Sequence, residues 1–201
     1  DGGRRLLPPL AVSGAVAVGV RVETADAAET ACERIHCYSF VPNDLPAMDD
    51  DALRRGKPTV HKAFDEATAI RVGDALQALA FELLCASGSG VSGEQRLEMI
   101  SCLATAAGAR GMVGGQALDF EAVGETQTLA QLEKMHSLKT GALIRAAVRL
   151  GGLSHEQCSA EALVSLDAYA AKLGLAFQTV SSTHLTPPTN RITRTLGGRG
   201  P

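Results

Sequence analysis

The stretch that is most informative about the fold runs from residue 43 to residue 59 and reads NDLPAMDDDALRRGKPT. It places four carboxylates within eight residues and two arginines directly after them: Asp44, Asp49, Asp50, Asp51, Arg54 and Arg55. Carboxylates this close repel one another unless a cation or solvent separates them. Mg²⁺ takes hard oxygen ligands from carboxylates and phosphates, and arginine donates in pairs to phosphate oxygens. The stretch therefore indicates a site for Mg²⁺ and a diphosphate, although its composition alone also fits a solvated, charged helix end.

The sequence on both sides of this stretch predicts an all-α chain. Apolar residues recur with helical spacing from about residue 25 to 39, and again over 61–86, 94–107, 128–150 and 160–179. Pro42 and Pro46 place the acids at the end of a helix or on the loop after it. We expect Gly151 and Gly152 to end one of the helices. No segment shows the alternation of a strand or the signal of a hairpin.

Composition and charge exclude several classes of protein. Aromatic residues make up only 3% of a chain that is 45% apolar, so the core must consist mainly of Ala, Leu, Val and Ile. The net charge of −3 gives no basic surface for nucleic acid. Five cysteines without a CxxC pair favour a reducing compartment over a disulfide framework or a zinc site. The apolar run over residues 6–20 is too short and too interrupted to predict a membrane span, so we expect a cytoplasmic protein.

The composition changes near residue 180. Residues 181–190 are rich in Ser, Thr and Pro, and the residues after them are basic and rich in Gly. Proline at positions 187 and 188 prevents a helix from continuing. We therefore expect one helical domain over residues 1–180 and an irregular tail over residues 181–201.

Three further segments make the pattern specific: GDALQ at 73–77, GQALD at 115–119 and HSLKTGALI at 136–144. In this order and spacing, together with residues 43–61, they resemble the short-chain trans-prenyl diphosphate synthases of the polyprenyl synthetase family. The resemblance extends from Gly2 to about Gln178. It implies an isoprenoid-synthase-like bundle of long helices around a central cavity, and we expect the chain to be incomplete at both ends relative to that bundle.

The resemblance also implies a reaction. With Mg²⁺ as cofactor, an allylic diphosphate would be ionised, and isopentenyl diphosphate would attack it head to tail with release of diphosphate. Metal ions and basic groups would stabilise the charge that develops on the leaving group. The protein would form a homodimer, or a heterodimer with a related synthase.

Residue roles follow from the resemblance by position. The implied metal ligands are Asn43, Asp44 and Asp49, and the implied catalytic residues are Asp44, Asp49, Lys139 and Gln178. The implied diphosphate-binding residues are Arg4, His36, Arg54, Arg55, Lys139, Thr140 and Gln178. Arg54 would contact the allylic diphosphate and Arg55 the isopentenyl diphosphate. Tyr38 would form the floor of the chain-length pocket, which favours a C15, farnesyl-type product.

Taken one at a time, several of these residues have simpler interpretations. A histidine on an apolar helix, such as His36, is more often a core or surface residue than a ligand contact. Lys139 alone would usually be a solvated lysine, and Tyr38 a core aromatic. Only their register with the segment at 43–59 makes functional roles the better interpretation.

Four departures from the family pattern bear on activity. Asn43 stands in place of the first aspartate of the motif, Pro42 in place of a histidine, and Leu7 in place of an arginine that contacts isopentenyl diphosphate. Residues 181–185, SSTHL, occupy the place of the second aspartate-rich motif and contain no carboxylate. The implied chemistry needs metal on both walls of the cavity. We therefore expect little or no synthase activity; the alternative is a non-catalytic partner subunit or an inactive remnant.

Overall fold

The structure, a computed structural model, describes residues 6–86, 90–155 and 158–184, and side chains as far as residue 177. Its helices are α1 (Leu7–Ala17), α2 (Asp26–Asn43), α3 (Val60–Ala63), α4 (Glu66–Cys85), α5 (Gly93–Ala107), α6 (Met112–Glu121), α7 (Leu129–His136), α8 (Ala142–Leu153) and α9 (Ala160–His184). A 3₁₀ turn over Val22–Ala25 precedes α2, and a π turn over Ser137–Gly141 joins α7 to α8. The prediction of an all-α fold is confirmed.

Helix α8 is the centre of the bundle. All of its residues except Arg145 and Arg149 are buried. It packs against α1, α2, α5 and α9. A helix buried on nearly every side must be apolar around its circumference, and the sequence of α8 meets that condition.

Helices α1 and α8 cross at close range through glycine. A Cβ atom on Gly151 would lie 1.9 Å from the backbone oxygen of Ala11, and one on Gly14 would lie 2.2 Å from the oxygen of Val148. The expectation that Gly151 and Gly152 end a helix was wrong, because α8 continues to Leu153. These glycines are selected by interhelical packing rather than by a helix terminus.

The acidic segment lies where the sequence predicts, immediately after α2, which ends at Asn43. The helix predicted over residues 61–86 is divided into α3 and α4. Asp65 interrupts it with an extended backbone and caps α4, its side chain accepting a hydrogen bond of 2.6 Å from the backbone N–H of Thr68.

A short hairpin follows the acidic segment, contrary to the expectation of no strands. Strand β1 (Leu53–Arg54) pairs antiparallel with β2 (Lys57–Pro58). The turn between them has positive φ at both central residues, 54° at Arg55 and 77° at Gly56, as in a type I′ turn. Strands of two residues are too short to produce an alternating pattern, so they could not be predicted from apolar alternation.

Two other boundaries differ from the sequence prediction. The helix expected over 128–150 is interrupted by the π turn. Helix α9 runs to His184, past the expected boundary at residue 180, because no Gly or Pro occurs between residues 179 and 184. The rest of the expected tail, 185–201, lies outside the described residues. None of the helices in the described part of the chain is long and apolar enough to cross a membrane.

Candidate active site

A cavity of 680 Å³ opens between α2, the hairpin, α6, the π turn and α8. It brings together most of the residues that the sequence singled out: His36, Asn43, Asp49, Arg54, Arg55, Lys139 and Thr140. Another part of its wall is apolar and consists of Met112, Leu143, Ile144 and Phe177. The cavity therefore combines a basic, polar region with an apolar region.

Of three other residues predicted from the sequence, two have no described side chain, and the third lies against the hydrophobic core. Arg4 lies outside the described residues. Gln178 lies on α9, in the part of the helix whose side chains are not described. Tyr38 is half-buried against the hydrophobic core, and its Cδ2 would lie 3.7 Å from a Cβ atom on Gly73 of α4.

The carboxylate of Asp44 forms an ion pair with the guanidinium group of Arg54. The Nε atom of Arg54 donates to both carboxylate oxygens of Asp44, at 2.9 and 3.0 Å, and Nη2 donates to Oδ1 as well. Asp44 is only 4% exposed. A buried carboxylate needs such a partner, and a forked guanidinium pair fixes the orientation of both groups. Asp44 thus holds Arg54 at the cavity, which leaves Asn43 and Asp49 as the predicted metal ligands on the cavity wall.

Asn43 and Asp49, the other two predicted metal ligands, lie side by side. The Nδ2 atom of Asn43 lies 3.5 Å from Oδ2 of Asp49. In the described part of the chain, no three His, Cys, Asp or Glu side chains converge on a possible metal position. One amide and one carboxylate fit a Mg²⁺ ion that completes its coordination with water and phosphate oxygens.

Thr59 anchors the hairpin that carries the arginines. Its hydroxyl donates to the backbone oxygen of Asp51 at 2.7 Å, and its backbone N–H donates to Ala52 at 3.1 Å. Thr59 is 3% exposed, and its Oγ1 lies 3.2 Å from Nδ1 of His61, which is also buried. These bonds tie the far end of the hairpin back to the acidic segment.

The ring of Phe40 contacts both arginines and His36. The guanidinium carbon of Arg54 lies 4.3 Å from the ring centroid, and that of Arg55 lies 5.9 Å away. The imidazole of His36 meets the same ring edge to face, with centroids 4.5 Å apart. Burial, and then the nearby charges of Arg55 and Arg54, lower the pKa of His36 to about 4.

Lys139 lies on the π turn and forms an ion pair with Asp119 of α6. A Cβ atom on Gly115 of α6 would lie 2.2 Å from the backbone nitrogen of Lys139, so α6 touches the turn directly. Gln116 donates from Nε2 to the backbone oxygen of Ser39 at 3.1 Å and thereby links α6 to α2. Turns of π geometry are frequent at functional sites.

Sequence reasoning assigned no role to Phe40, Gln116 or Asp119. Gln116 and Asp119 belong to the segment GQALD, so their position in that segment was an available signal. Phe40 carried no signal, because its role depends on a contact with residues 14 and 15 positions further along the chain.

Comparison with known proteins identifies the family of the chain. Residues 1–181 match the polyprenyl synthetase family. The chain is 54% identical over 178 residues to farnesyl diphosphate synthase of Escherichia coli (strain K12), and 45% identical over 178 residues to that of Geobacillus stearothermophilus. Each alignment covers 88% of this chain and 60% of the relative.

The chain is also similar in structure to solved proteins. An FPP/GFPP synthase from Zymomonas mobilis superposes with a TM-score of 0.85 at 45% identity, covering 92% of this chain and 66% of that one. A geranyltransferase from Legionella pneumophila gives a TM-score of 0.84 at 41% identity, covering 90% of this chain and 65% of that one.

The chain belongs to the polyprenyl synthetase family. Its fold is the all-α fold of the isoprenyl synthases. The chain spans about 60% of the length of the curated relatives it matches.

Proposed function

We propose that this chain is a prenyl diphosphate synthase homologue that binds an allylic diphosphate and isopentenyl diphosphate, and that its catalytic activity is weak. The observation that carries the proposal is the composition of the cavity. One region presents Arg54, Arg55 and Lys139, and another presents apolar side chains. A prenyl diphosphate has the same two parts, a highly charged head and a hydrocarbon chain.

The basic residues suit the head group. Arg54 and Arg55 are adjacent on a hairpin that is anchored at both ends, and planar guanidinium groups match phosphate oxygens in pairs. Lys139 adds a compact positive charge from the π turn. We assign Arg54 to the allylic diphosphate and Arg55 to the isopentenyl diphosphate, with His36, Thr140, Gln178 and Arg4 as further contacts.

Mg²⁺ fits the site as an ion shared between protein and diphosphate. Asn43 and Asp49 would hold it, and it would neutralise charge on the departing diphosphate. We propose that Asp44 contributes by orienting Arg54 rather than by contacting the metal. Lys139, on the π turn, would stabilise the leaving diphosphate.

The apolar region suits the hydrocarbon chain. Met112 and Ile144 are almost fully buried, at 1% exposure each, and Leu143 is 4% exposed. Such walls exclude water from a carbocation that water would otherwise capture. Tyr38 packs beside Gly73 of α4, and we keep it, from the family resemblance, as the candidate for the residue that limits the product to C15.

Two features of the sequence support weak activity. Asn43 supplies a neutral amide where a carboxylate would add charge to the metal site. Residues 181–185 contain no carboxylate at the expected position of the second metal-binding motif. We further propose that the protein acts in the cytoplasm, as a homodimer or as a heterodimer with a related synthase.

Two measurements test this function. Calorimetry with inorganic diphosphate, with and without Mg²⁺, should show Mg²⁺-dependent binding. Diphosphate release from geranyl diphosphate and isopentenyl diphosphate should be little or absent. Failure to bind would contradict the diphosphate site, and robust turnover would contradict the weak activity. Absence of Mg²⁺-dependent binding, together with a stable complex with an active synthase, would favour a non-catalytic partner subunit.

The substitution Asn43→Asp tests the metal assignment. A restored carboxylate should tighten Mg²⁺-dependent diphosphate binding by roughly tenfold, because it adds a formal charge next to Asp49. Asp50→Asn is the matched control: Asp50 belongs to the same acidic segment but pairs with Lys62 at 3.7 Å. It should leave the affinity close to that of the parent. Equal affinities for Asn43→Asp and the parent would argue against Asn43 as a ligand.

A further inference from the structure

Phe40 occupies a central position among the basic groups of the cavity. It lies on α2 one helical turn after His36 and one turn before Asp44, so these three residues share a face of the helix. From there its ring meets Arg54 at 4.3 Å, Arg55 at 5.9 Å and the His36 ring at 4.5 Å. All three distances are within the range of favourable cation–π or aromatic contact.

The two arginines differ in whether a carboxylate also pairs with them. Arg54 is also held by Asp44, through both carboxylate oxygens. Within residues 6–86, 90–155 and 158–184, no carboxylate forms an ion pair with Arg55. Its backbone is fixed at a φ of 54° in the hairpin turn, but its guanidinium group faces the cavity beside another positive charge. The negative face of the Phe40 ring, with its centroid 5.9 Å from the guanidinium carbon of Arg55, attracts this charge.

We infer that Phe40 is a positioning residue that holds Arg54 and Arg55 together in the orientation that receives a diphosphate. The inference rests on the diphosphate site proposed above. A long, flexible arginine that is already ordered loses less conformational freedom when the anion binds, so pre-ordering increases affinity. An aliphatic side chain of similar size would fill the same space but would lack the π face.

Four proteins test the role of the ring: the parent, Phe40→Leu, Phe40→Tyr and the control Phe81→Leu. Phe81 is also half-buried, but it packs against the core from α4, away from the cavity. Binding of inorganic diphosphate with Mg²⁺ should weaken about three- to tenfold in Phe40→Leu, which corresponds to the loss of a partly desolvated cation–π contact. Phe40→Tyr keeps the π face and should bind like the parent, as should Phe81→Leu.

Thermal unfolding of each variant shows whether it folds. The inference is overturned if folded Phe40→Leu binds diphosphate as tightly as the parent, or if Phe40→Tyr is weakened as much as Phe40→Leu. A loss in Phe81→Leu equal to that in Phe40→Leu would also overturn it, since a general packing effect would then explain both.

A second measurement separates this inference from the proposed function. The ring current of Phe40 should shift the side-chain NMR signals of Arg54 and Arg55 in the unliganded protein, and Phe40→Leu should abolish those shifts. If the parent fails to bind diphosphate but the shifts are present and depend on Phe40, the proposed function fails and the contact stands. If the arginine signals are the same in the parent and in Phe40→Leu, the positioning role is wrong whatever the binding result.

Discussion

His36 is the residue whose chemistry is changed most by its surroundings in the cavity. An exposed histidine is partly protonated near neutral pH, but burial and the adjacent Arg55 and Arg54 disfavour its charged form and lower its pKa to about 4. His36 is therefore neutral at physiological pH. In the unliganded cavity it does not add to the positive charge of Arg54 and Arg55.

The lowered pKa predicts that acid destabilises the protein through His36. The unfolded chain has the ordinary histidine pKa of 6.5, so between that value and about 4 the unfolded state binds more protons. Stability should then fall as the pH falls through this interval. The contribution of His36 should be at most about 3.5 kcal/mol, because each of the roughly 2.5 pKa units between 6.5 and about 4 corresponds to about 1.4 kcal/mol.

Urea unfolding at several pH values measures this dependence. Carboxylates also titrate in this range, so the informative quantity is the difference between the parent and His36→Gln. That substitution should flatten the pH dependence between pH 6.5 and about 4. The same slope in the parent and in His36→Gln would show that His36 is not the group responsible.

At the scale of elements, two short irregular pieces place the charged groups. The hairpin at 53–58 carries the arginines, and the π turn at 137–141 carries Lys139 and Thr140. Each piece is fixed by a contact with another part of the chain: Thr59 ties the hairpin to Asp51, and Gly115 of α6 touches the π turn. The long helices form the bundle, and these two short segments determine where the charged side chains of the site lie.

The contact at Gly115 gives a prediction for the π turn. A Cβ atom there would lie 2.2 Å from the nitrogen and 2.5 Å from the Cα of Lys139, so Gly115→Ala must displace the turn or α6. We expect a loss of stability of about 1–3 kcal/mol, typical of forced overpacking, and clearly weaker diphosphate binding. Urea unfolding and calorimetry measure the two effects.

Gly93→Ala is the control, because nothing lies within 4 Å of a Cβ atom at Gly93, in the first turn of α5. It should leave binding unchanged and should not lower stability. Normal diphosphate binding by Gly115→Ala would show that Lys139 does not depend on this contact.

At the scale of the whole molecule, the bundle depends on how closely α1 approaches α8. Gly14 and Gly151 meet the backbone of the opposite helix, at Val148 and Ala11. A backbone atom cannot move aside as a flexible side chain can, so any Cβ atom in this crossing separates the two helices. Because Leu7 on α1 and Leu143 on α8 both line the cavity, the same separation would also widen the site.

The close crossing predicts a strong effect of Gly14→Ala. We expect the free energy of unfolding to fall by about 2–4 kcal/mol, at the upper end of the usual range for single substitutions. Gly174→Ala on α9 is the matched control, because its Cβ atom would lie at an ordinary 3.8 Å from Gly141. In a helix interior it should stabilise by roughly 0.5–1 kcal/mol. Similar urea midpoints for Gly14→Ala and the parent would contradict the packing argument.

The sequence by itself determined the fold class, the position of the acidic segment after a helix, and most of the polar and charged residues that line the cavity. The fold class and the position of the acids could be predicted because they depend on patterns within a few residues: helical spacing of apolar side chains and proline after α2. The charges at 43–59 indicated a site for Mg²⁺ and a diphosphate, and the resemblance of this segment and of 136–144 to the family's motifs implied the other polar residues.

Only the tertiary structure decided how those residues are used. In the folded chain, Asp44 pairs with Arg54, and the ring of Phe40 contacts both arginines. Gly151 lies inside α8 rather than at its end. Each of these features is a contact between elements that are separated along the chain. Local patterns do not encode such contacts, because the packing of α1, α2 and α6 around α8 determines which distant side chains and backbones meet.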